Sequence, residues 1–264
     1  SAAIIDGKAL ATKLRGEIAA TVATMTRKPG LAVILVGDNP ASAVYVKAKG
    51  KQTVEVGMRS FEYRLPADAA QTDLIELVET LNSASDVDGI LVQLPLPLHI
   101  DDLAVIGAID PDKDVDGLHP VNLGRLALGM PGPVPCTPAG IEALLAHHGI
   151  EVAGQEVCIL GRGTTLGRPL ALLLTQKRPT ANAAVTVVHT GVPNWAAYTR
   201  RAAIVVAAVG VPNILQPEHI SPGATVVGGG VRYEGRRLLP DVDEACNEVA
   251  GAITPRVGGV GPTT

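Results

Sequence analysis

The sequence is poor in aromatic side chains, since its 264 residues include one Trp, four Tyr and one Phe. A core with so few rings has to be built from aliphatic side chains, which is typical of parallel strands covered by helices. The shortage also argues against single-stranded nucleic acid as a partner, because such sites stack bases on rings. Hydrophobic residues still make up 47% of the chain, which excludes intrinsic disorder.

Cysteine and positive charge are scarce as well. The three cysteines, Cys136, Cys158 and Cys246, have neither the number nor the spacing of a disulfide framework or a zinc site. A formal net charge of −4 gives no basic surface for nucleic acid or an anionic membrane. These features predict a small-molecule partner, a reducing compartment and no metal.

Long apolar runs of the membrane-spanning kind are absent from the sequence. The longest stretch without Asp, Glu, Lys or Arg covers residues 179–199 and is interrupted by Gly191 and Pro193. The first ten residues contain Asp6 and Lys8 where a secretory signal requires an apolar run. We therefore expect a cytoplasmic protein.

Two series of alternating helices and strands are predicted from hydrophobic periodicity. The first has helices near 10–22, 41–56 and 72–81 and strands at 31–36, 61–65 and 89–92. The second has a helix at 138–148, capped by Thr137, and strands at 157–160, 185–188, 203–207 and 225–227. This order predicts parallel sheets with right-handed crossovers.

A Pro-, Gly- and Asp-rich region, residues 110–138, separates the two series. A length of 264 residues also favours two domains, at a prior of about 150 residues each. We predict one domain at 1–135, a second at 136–255 and a return segment toward the first domain at 256–264.

A glycine-rich segment follows the strand predicted at 157–160. It contains Gly161, Gly163, Thr164 and Gly167 and runs into an apolar helix. The spacing GxGxxxG is a variant of the pattern that lets a dinucleotide pyrophosphate approach a helix N-terminus. A tight turn without a ligand is the alternative.

The next strand ends in His189-Thr190, without the carboxylate that usually binds the ribose hydroxyl of NAD. Arg162 in the glycine-rich segment can instead pair with the 2′-phosphate of NADP. The sequence therefore favours NADP, unless Arg162 is an ordinary solvated arginine.

Three lysines lie on the helix predicted at 41–56. At about 100° per residue, Lys49 shares a face with Tyr45, whereas Lys47 and Lys51 point the opposite way. Lys49 is therefore predicted to turn inward, and burial favours the neutral amine that proton transfer requires. A fully solvated basic face is the alternative.

Polar groups follow the strand at 89–92. Gln93 stands at its carboxyl end, where open α/β sheets bind ligands, although it could equally cap the strand. Residues 110–119 then bring four aspartates into one loop. Because the loop lacks calcium-loop spacing, substrate binding or plain turn chemistry is favoured over a cation site.

Several long motifs together resemble the bifunctional methylenetetrahydrofolate dehydrogenase/methenyltetrahydrofolate cyclohydrolase family. They are YVKAKGK at 45–51, GILVQLPLPLHI at 89–100, PDKDVDGLHPVNLGRLALG at 111–129, PCTPAGI at 135–141, GRGTTLGRP at 161–169 and GGVGP at 258–262. The resemblance implies an N-terminal three-layer α/β catalytic domain that binds folate and a C-terminal Rossmann-type NADP-binding domain. It also implies oxidation of methylenetetrahydrofolate with NADP, hydrolysis of the methenyl product to formyltetrahydrofolate, a role in one-carbon metabolism and purine biosynthesis, and a homodimer.

Roles for individual residues are implied by the same resemblance. Lys49 matches the catalytic lysine, Gln93 the glutamine that supports it and Tyr45 the tyrosine that packs on the folate. Asp116 matches the aspartate that binds the pterin. The remaining matches are Pro255, Gly258 and Gly259 for the segment that closes over the substrate, and Gly161, Arg162, Gly163, Thr164, Gly167, His189 and Thr190 for the NADP site.

The sequence departs from the family pattern at three places. Gly228 stands where family members have an acidic residue, Arg256-Val257 replace a Val-Pro pair, and the chain ends before the family's C-terminal helix. Two alternatives remain at this point. A shikimate-type NADP dehydrogenase would explain the glycines, and a folate-binding protein without activity would explain the drift at these positions.

Overall fold

The fold is described from a computed structural model that covers residues 1–234 and 237–264. Contacts between Cα atoms divide the chain into two units. The larger unit consists of residues 1–12, 125–131 and 135–264, and the smaller one of residues 13–124 and 132–134. The proposed boundary between residues 135 and 136 stays a prediction.

The first half of the chain alternates strands and helices, as predicted. Its strands are β1 (Ala3–Ile4), β2 (Gly30–Val36), β3 (Arg59–Leu65) and β4 (Gly89–Val92). Its helices are α1 (Gly7–Thr24), α2 (Pro40–Glu55), α3 (Gln71–Ser83), α4 (Asp102–Ala108) and α5 (Pro120–Leu128).

The second half continues the alternation around the glycine-rich segment. Its strands are β5 (Glu156–Leu160), β6 (Ala184–Val188), β7 (Ile204–Ala207), β8 (Thr225–Gly228), β9 (Val231–Glu234), β10 (Arg237–Pro240) and β11 (Ala252–Ile253). Its helices are α6 (Cys136–His147), α7 (Gly167–Leu174) and α8 (Ala196–Arg201), with 3₁₀ turns at Pro217–His219, Glu244–Glu248 and Gly261–Thr263.

The sheet of the smaller unit has the strand order β3-β2-β4, and both pairings are parallel. Side chains alternate between its two faces. Ile34 and Ile90 pack with α3 and α4 residues on one face, whereas Val33, Leu35 and Leu91 pack with Val46 of α2 on the other. Helices therefore cover both faces, and the expected three-layer α/β arrangement is confirmed.

The larger unit contains a six-stranded sheet in the order β1-β11-β8-β7-β5-β6, again with parallel pairings. Its strands are aliphatic, and their fully buried side chains include Ile159, Leu160 and Val226. This is the parallel α/β sheet that the sequence predicts for the second domain. Strands β9 and β10 form a separate antiparallel pair.

Several elements were not predicted. Helix α5 lies inside the region that was expected to be irregular. It was not predicted because it is short and contains Gly124, which obscures the helical spacing of its buried residues Asn122 and Leu126. Hydrophobic periodicity also did not predict helices α4 and α8, the β9–β10 pair or the two-residue strands β1 and β11. The pairing of such short strands depends on contacts distant in sequence.

The predicted helix cap at Thr137 is wrong. Helix α6 begins at Cys136 with Pro135 at the N-cap, which places Thr137 in the first turn. Pro138 is compatible with this start, because the N–H that proline lacks would have no helical partner in the first turn.

Among residues 1–234 and 237–264, no helix is both long enough and apolar enough to cross a bilayer. Within the same described ranges, no group of His, Cys, Asp and Glu side chains is arranged to hold a metal ion.

Chemical labelling of the cysteines tests the packing of the core, because Cys158 and Cys246 are buried. Burial raises the pKa of the Cys158 and Cys246 thiols to about 11, whereas Cys136 is only half-buried. In the native protein at neutral pH, a maleimide should therefore label Cys136 alone, and after unfolding it should label all three. Peptide mass spectrometry measures this, and rapid native labelling of Cys158 or Cys246 would contradict the packing.

Candidate active site

A lysine and a glutamine meet in the smaller unit. Lys49 lies on α2 and is half-buried, and its Nζ donates a hydrogen bond of 2.9 Å to Oε1 of Gln93. Gln93 follows directly after β4. Its backbone N–H donates to the Ile34 carbonyl at 2.9 Å, and its Nε2 donates to the Leu94 carbonyl at 3.0 Å. These bonds direct the amide oxygen toward the amine, which in its charged form can only donate.

The rest of α2 agrees with the helical spacing. Lys47 and Lys51 are exposed, and Lys51 forms an ion pair with Glu55 at 3.6 Å. Tyr45, one turn before Lys49, is 41% exposed. The structure therefore separates Lys49 from the solvated lysines, as the spacing predicts, and leaves the Tyr45 ring accessible.

The aspartate-rich loop contains one fully buried carboxylate. Asp114 is 1% exposed, and its Oδ2 accepts hydrogen bonds from the His119 N–H and from Nδ2 of Asn122, both at 2.9 Å. Asp110 likewise accepts the Asp112 N–H at 2.9 Å. Turn chemistry thus accounts for Asp110 and Asp114.

Asp116 occupies a different position in this loop. Asp114 forms a parallel bridge with Ile90 of β4, so the residues that follow on both segments leave at the carboxyl edge of the sheet. Asp116 is half-buried and, with Val92 and Leu118, lines a small cavity at this edge. Its placement at the edge where Gln93 also stands is compatible with binding a ligand.

Sequence reasoning missed Asn122 and the structural roles of Asp114 and His119. The motif DVDGLHPVN contains all three residues, but its spacing does not reveal that Asp114 is the aspartate that turns inward.

The glycine-rich loop lies in the larger unit between β5 and α7, and its glycines have two different roles. A Cβ on Gly161, whose φ is +131°, would lie 2.2 Å from the Ala208 carbonyl oxygen, and one on Gly167 would lie 2.4 Å from the Gly161 carbonyl oxygen. A Cβ on Gly163 would meet nothing within 4 Å. Gly161 and Gly167 thus allow the protein's own backbone to pack, whereas Gly163 leaves an open surface.

This surface fits a dinucleotide. Gly163 and Thr164 are exposed at the N-terminal end of α7, whose cap residue Leu166 provides no side-chain hydrogen bond. Unpaired N–H groups at a helix start attract phosphate, and the missing Cβ lets it approach. The tight-turn alternative explains Gly161 and Gly167 but not Gly163.

The end of β6 carries the residues expected near the ribose. Nδ1 of the half-buried His189 accepts the Gly191 N–H at 3.1 Å, and Thr190 is exposed. Arg162 is exposed one residue after Gly161. Because β6 pairs with β5, both segments leave the sheet at one edge, which bears no carboxylate at 189 or 190.

The segment near the C-terminus packs on the start of α1. The Gly7 N–H donates to the Gly258 carbonyl at 2.8 Å, and Gly258 has a φ of +88°. A Cβ on Gly259 would lie 2.9 Å from Cβ of Thr254, and Pro255 is half-buried. These residues belong to the larger unit, whereas Lys49, Gln93, Tyr45 and Asp116 belong to the smaller one.

Gly228 and Arg256, two of the residues that depart from the family pattern, line one cavity of about 500 Å³ in the larger unit. Gly228 donates its N–H to Oγ1 of Thr254 at 2.8 Å, and Arg256 donates to the Leu238 carbonyl at 2.8 Å. Val257 is 64% exposed. The backbone pairing of β8 through Gly228 is thus kept without the family's acidic side chain.

The two kinds of glycine can be told apart by alanine substitution. Gly167→Ala should lower the thermal unfolding temperature, because its Cβ collides with backbone that cannot yield. Gly163→Ala should leave that temperature unchanged and weaken dinucleotide binding, because its Cβ enters space that only a ligand fills. Calorimetry and cofactor titration on both variants measure this. Normal cofactor affinity in Gly163→Ala would contradict the assignment of the open surface.

Known proteins of one family are similar to this chain over most of its length. Residues 5–116 match the model of the tetrahydrofolate dehydrogenase/cyclohydrolase catalytic domain, and residues 135–264 match that family's NAD(P)-binding domain. The Bifunctional protein FolD 1 of Salinispora tropica is 62% identical over 263 residues, which cover 98% of this chain and 86% of the relative.

Solved structures are also similar to this chain. The bifunctional enzyme FolD from Campylobacter jejuni has a TM-score of 0.94 at 40% identity and covers 100% of this chain and 94% of its own. The Trypanosoma brucei dehydrogenase-cyclohydrolase, solved in complex with NADP and an inhibitor, has a TM-score of 0.93 at 38% identity, with coverages of 99% and 93%. The chain therefore belongs to the tetrahydrofolate dehydrogenase/cyclohydrolase family.

Proposed function

We propose that Lys49 and Gln93 form the catalytic pair of a bifunctional folate enzyme. The enzyme oxidises 5,10-methylenetetrahydrofolate to the methenyl form with NADP and hydrolyses the methenyl form to 10-formyltetrahydrofolate in one-carbon metabolism. The observation that carries the assignment of the pair is the 2.9 Å hydrogen bond from Nζ of Lys49 to Oε1 of Gln93.

The chemistry requires a proton acceptor. Bound NADP supplies the acceptor for the hydride that leaves the methylene carbon, and the folate is left with a cationic methenyl bridge. Water then attacks this carbon and loses one proton to a base. The formyl group forms when one carbon–nitrogen bond breaks and the released nitrogen takes up the second proton of the water. In its neutral form Lys49 can donate an N–H to Gln93 and accept that proton on its amine nitrogen.

Gln93 acts by positioning. Its backbone N–H is bonded to the Ile34 carbonyl and its side-chain Nε2 to the Leu94 carbonyl, so the remaining amide oxygen fixes the place of the lysine amine. The lysine has four rotatable side-chain bonds, and holding its amine in one place removes the disorder that would otherwise slow proton transfer.

The other site residues extend this proposal. Asp116 accepts hydrogen bonds from the pterin, and the exposed Tyr45 packs on the folate. Pro255, Gly258 and Gly259 close over the substrate. The family resemblance supports these roles, and for Asp116 the half-buried position at the carboxyl edge of the sheet supports it too.

The cofactor site consists of Gly161, Arg162, Gly163, Thr164 and Gly167, together with His189 and Thr190. The open surface at Gly163 receives the pyrophosphate. Arg162 pairs with the 2′-phosphate, and the absence of a carboxylate at residues 189 and 190 leaves the ribose hydroxyl of NAD without its usual acceptor.

We also propose that the protein is cytoplasmic, that it forms a homodimer and that its products serve purine biosynthesis. The domain assignment is 1–135 for folate and catalysis, 136–255 for NADP and 256–264 for the return segment. Family resemblance supports the dimer and the pathway, and the composition of the sequence supports the compartment.

Lys49→Ala tests the catalytic pair. It should lower the rate of methenyltetrahydrofolate hydrolysis on the order of 100-fold or more, because it removes the general base, and it should leave NADP affinity unchanged. The matched control is Lys47→Ala, which removes an exposed lysine from the same helix and should retain full activity. Absorbance of the methenyl compound and of NADPH follows the two reactions, and undiminished hydrolysis by Lys49→Ala would overturn the assignment.

Arg162→Ala tests the choice of cofactor. A charge-assisted hydrogen bond to phosphate contributes roughly 1.5–3 kcal/mol, so NADP affinity should fall on the order of 10- to 100-fold and NAD affinity much less. Arg168→Ala, which removes an exposed arginine from the first turn of α7, shows whether loss of any nearby positive charge would have the same effect. Equal losses of NADP and NAD affinity in Arg162→Ala would mean that Arg162 supports the loop without binding the phosphate.

A further inference from the structure

A buried aspartate outside the proposed site is packed against Gly230, which follows β8. Asp241 is 0% exposed. A Cβ on Gly230 would lie only 1.9 Å from Oδ2 of Asp241, so the carboxylate fills the space that a side chain at residue 230 would need. The Asp241 N–H also donates to the Gly230 carbonyl at 3.1 Å. The carboxylate is therefore enclosed on this side by backbone.

The same carboxylate holds the loop that follows β7. Its Oδ2 accepts the N–H groups of Val209 at 2.6 Å and Gly210 at 3.0 Å. The Asp241 carbonyl also accepts the Leu215 N–H at 3.0 Å, farther along that loop. Asp241 thus binds the loop after β7 at two places, through its side chain and through its backbone.

That loop supports the glycine-rich segment directly. The Ala208 N–H donates to the Leu160 carbonyl at 2.7 Å, and the Ala208 carbonyl oxygen would be 2.2 Å from a Cβ on Gly161. The Ala207 carbonyl in turn accepts the N–H groups of Gly229 and Gly230. A continuous series of close contacts therefore joins Asp241 to Gly161, and a shift of Ala208 must move Gly161 or open a gap beside it.

We propose that Asp241 is a positioning residue for NADP, which fixes the loop after β7 so that Ala208 holds Gly161 and the glycine-rich segment in its binding geometry. This inference rests on the proposed cofactor site. The carboxylate suits the task because one oxygen acceptor can take two N–H groups at once, and N–H groups that face a buried side chain are costly to leave unpaired. Neither the glycine motif nor the end of β6 indicates this residue.

Asp241→Ala tests the proposal. It should raise the KM and the dissociation constant for NADP by about tenfold or more, since two N–H groups lose their acceptor and the loop relaxes. Methenyl hydrolysis, which uses no NADP, should stay within about twofold of the wild type, which a general loss of folding would not permit. Asp241→Asn keeps an oxygen acceptor and should restore most of the NADP affinity.

The matched control is Asp243→Ala. Asp243 caps the 3₁₀ turn that begins at Glu244 by accepting the Ala245 N–H at 2.9 Å, and its loss should leave NADP affinity unchanged. If Asp241→Ala does not fold, Gly230→Ala/Asp241→Ala replaces it, because the added methyl group fills the vacated space, and the same weakening of NADP binding is expected.

Two results would overturn the inference. One is NADP affinity in Asp241→Ala, or in Gly230→Ala/Asp241→Ala, equal to that of Asp243→Ala. The other is a parallel loss of NADP binding and methenyl hydrolysis that Asp241→Asn does not repair. Arg162→Ala is measured beside them. Weakened NADP binding in Arg162→Ala with normal binding in Asp241→Ala overturns the role of Asp241 alone, whereas a wild-type protein that does not bind NADP overturns the cofactor site as well.

Discussion

At the carboxyl edge of the six-stranded sheet, backbone segments approach each other so closely that no Cβ fits between them. Gly161 lies against Ala208, Gly167 against Gly161, and Gly230 against the carboxylate of Asp241. Each contact needs a residue without a side chain, and each fixes the position of the next segment. The shape of the glycine-rich loop is therefore set by packing within the protein, and of its glycines 161, 163 and 167 it is Gly163 that leaves space open to a ligand.

Parallel strands explain why the candidate residues gather at sheet edges. In the three-stranded and six-stranded sheets the strands run in one direction, so the segments that leave their carboxyl ends lie side by side. Gln93 and Asp116 share such an edge in the smaller unit, as the glycine-rich loop and His189 do in the larger one. Lys49 is different, because it reaches Gln93 from a helix and depends on the register of α2 against the sheet.

Much of this arrangement could be predicted from the sequence, because its signals are local. Continuous apolar runs located β2, β4 and β5, and helical spacing located α2, each to within about two residues. The helical spacing separated Lys49 from Lys47. By contrast, the partners of β1 and β11, the start of α6 at Cys136 and the helix α5 depend on contacts between distant parts of the chain or on capping without a side chain. No local pattern encodes these contacts.

The acidic residues also show that a local sequence motif does not reveal which of its side chains is buried. Asp114 and Asp116 are two positions apart in one loop. Asp114 is buried and accepts hydrogen bonds from the His119 N–H and from Asn122, whereas Asp116 is half-buried at the sheet edge. A carboxylate whose oxygens are taken up by the protein's own N–H groups has little capacity left for a ligand. Asp241 stands at a strand end like a binding residue, but its Oδ2 holds backbone. In this protein, then, a carboxylate's role follows from which donors it already satisfies, and that is decided by burial and by chain segments far away in the sequence.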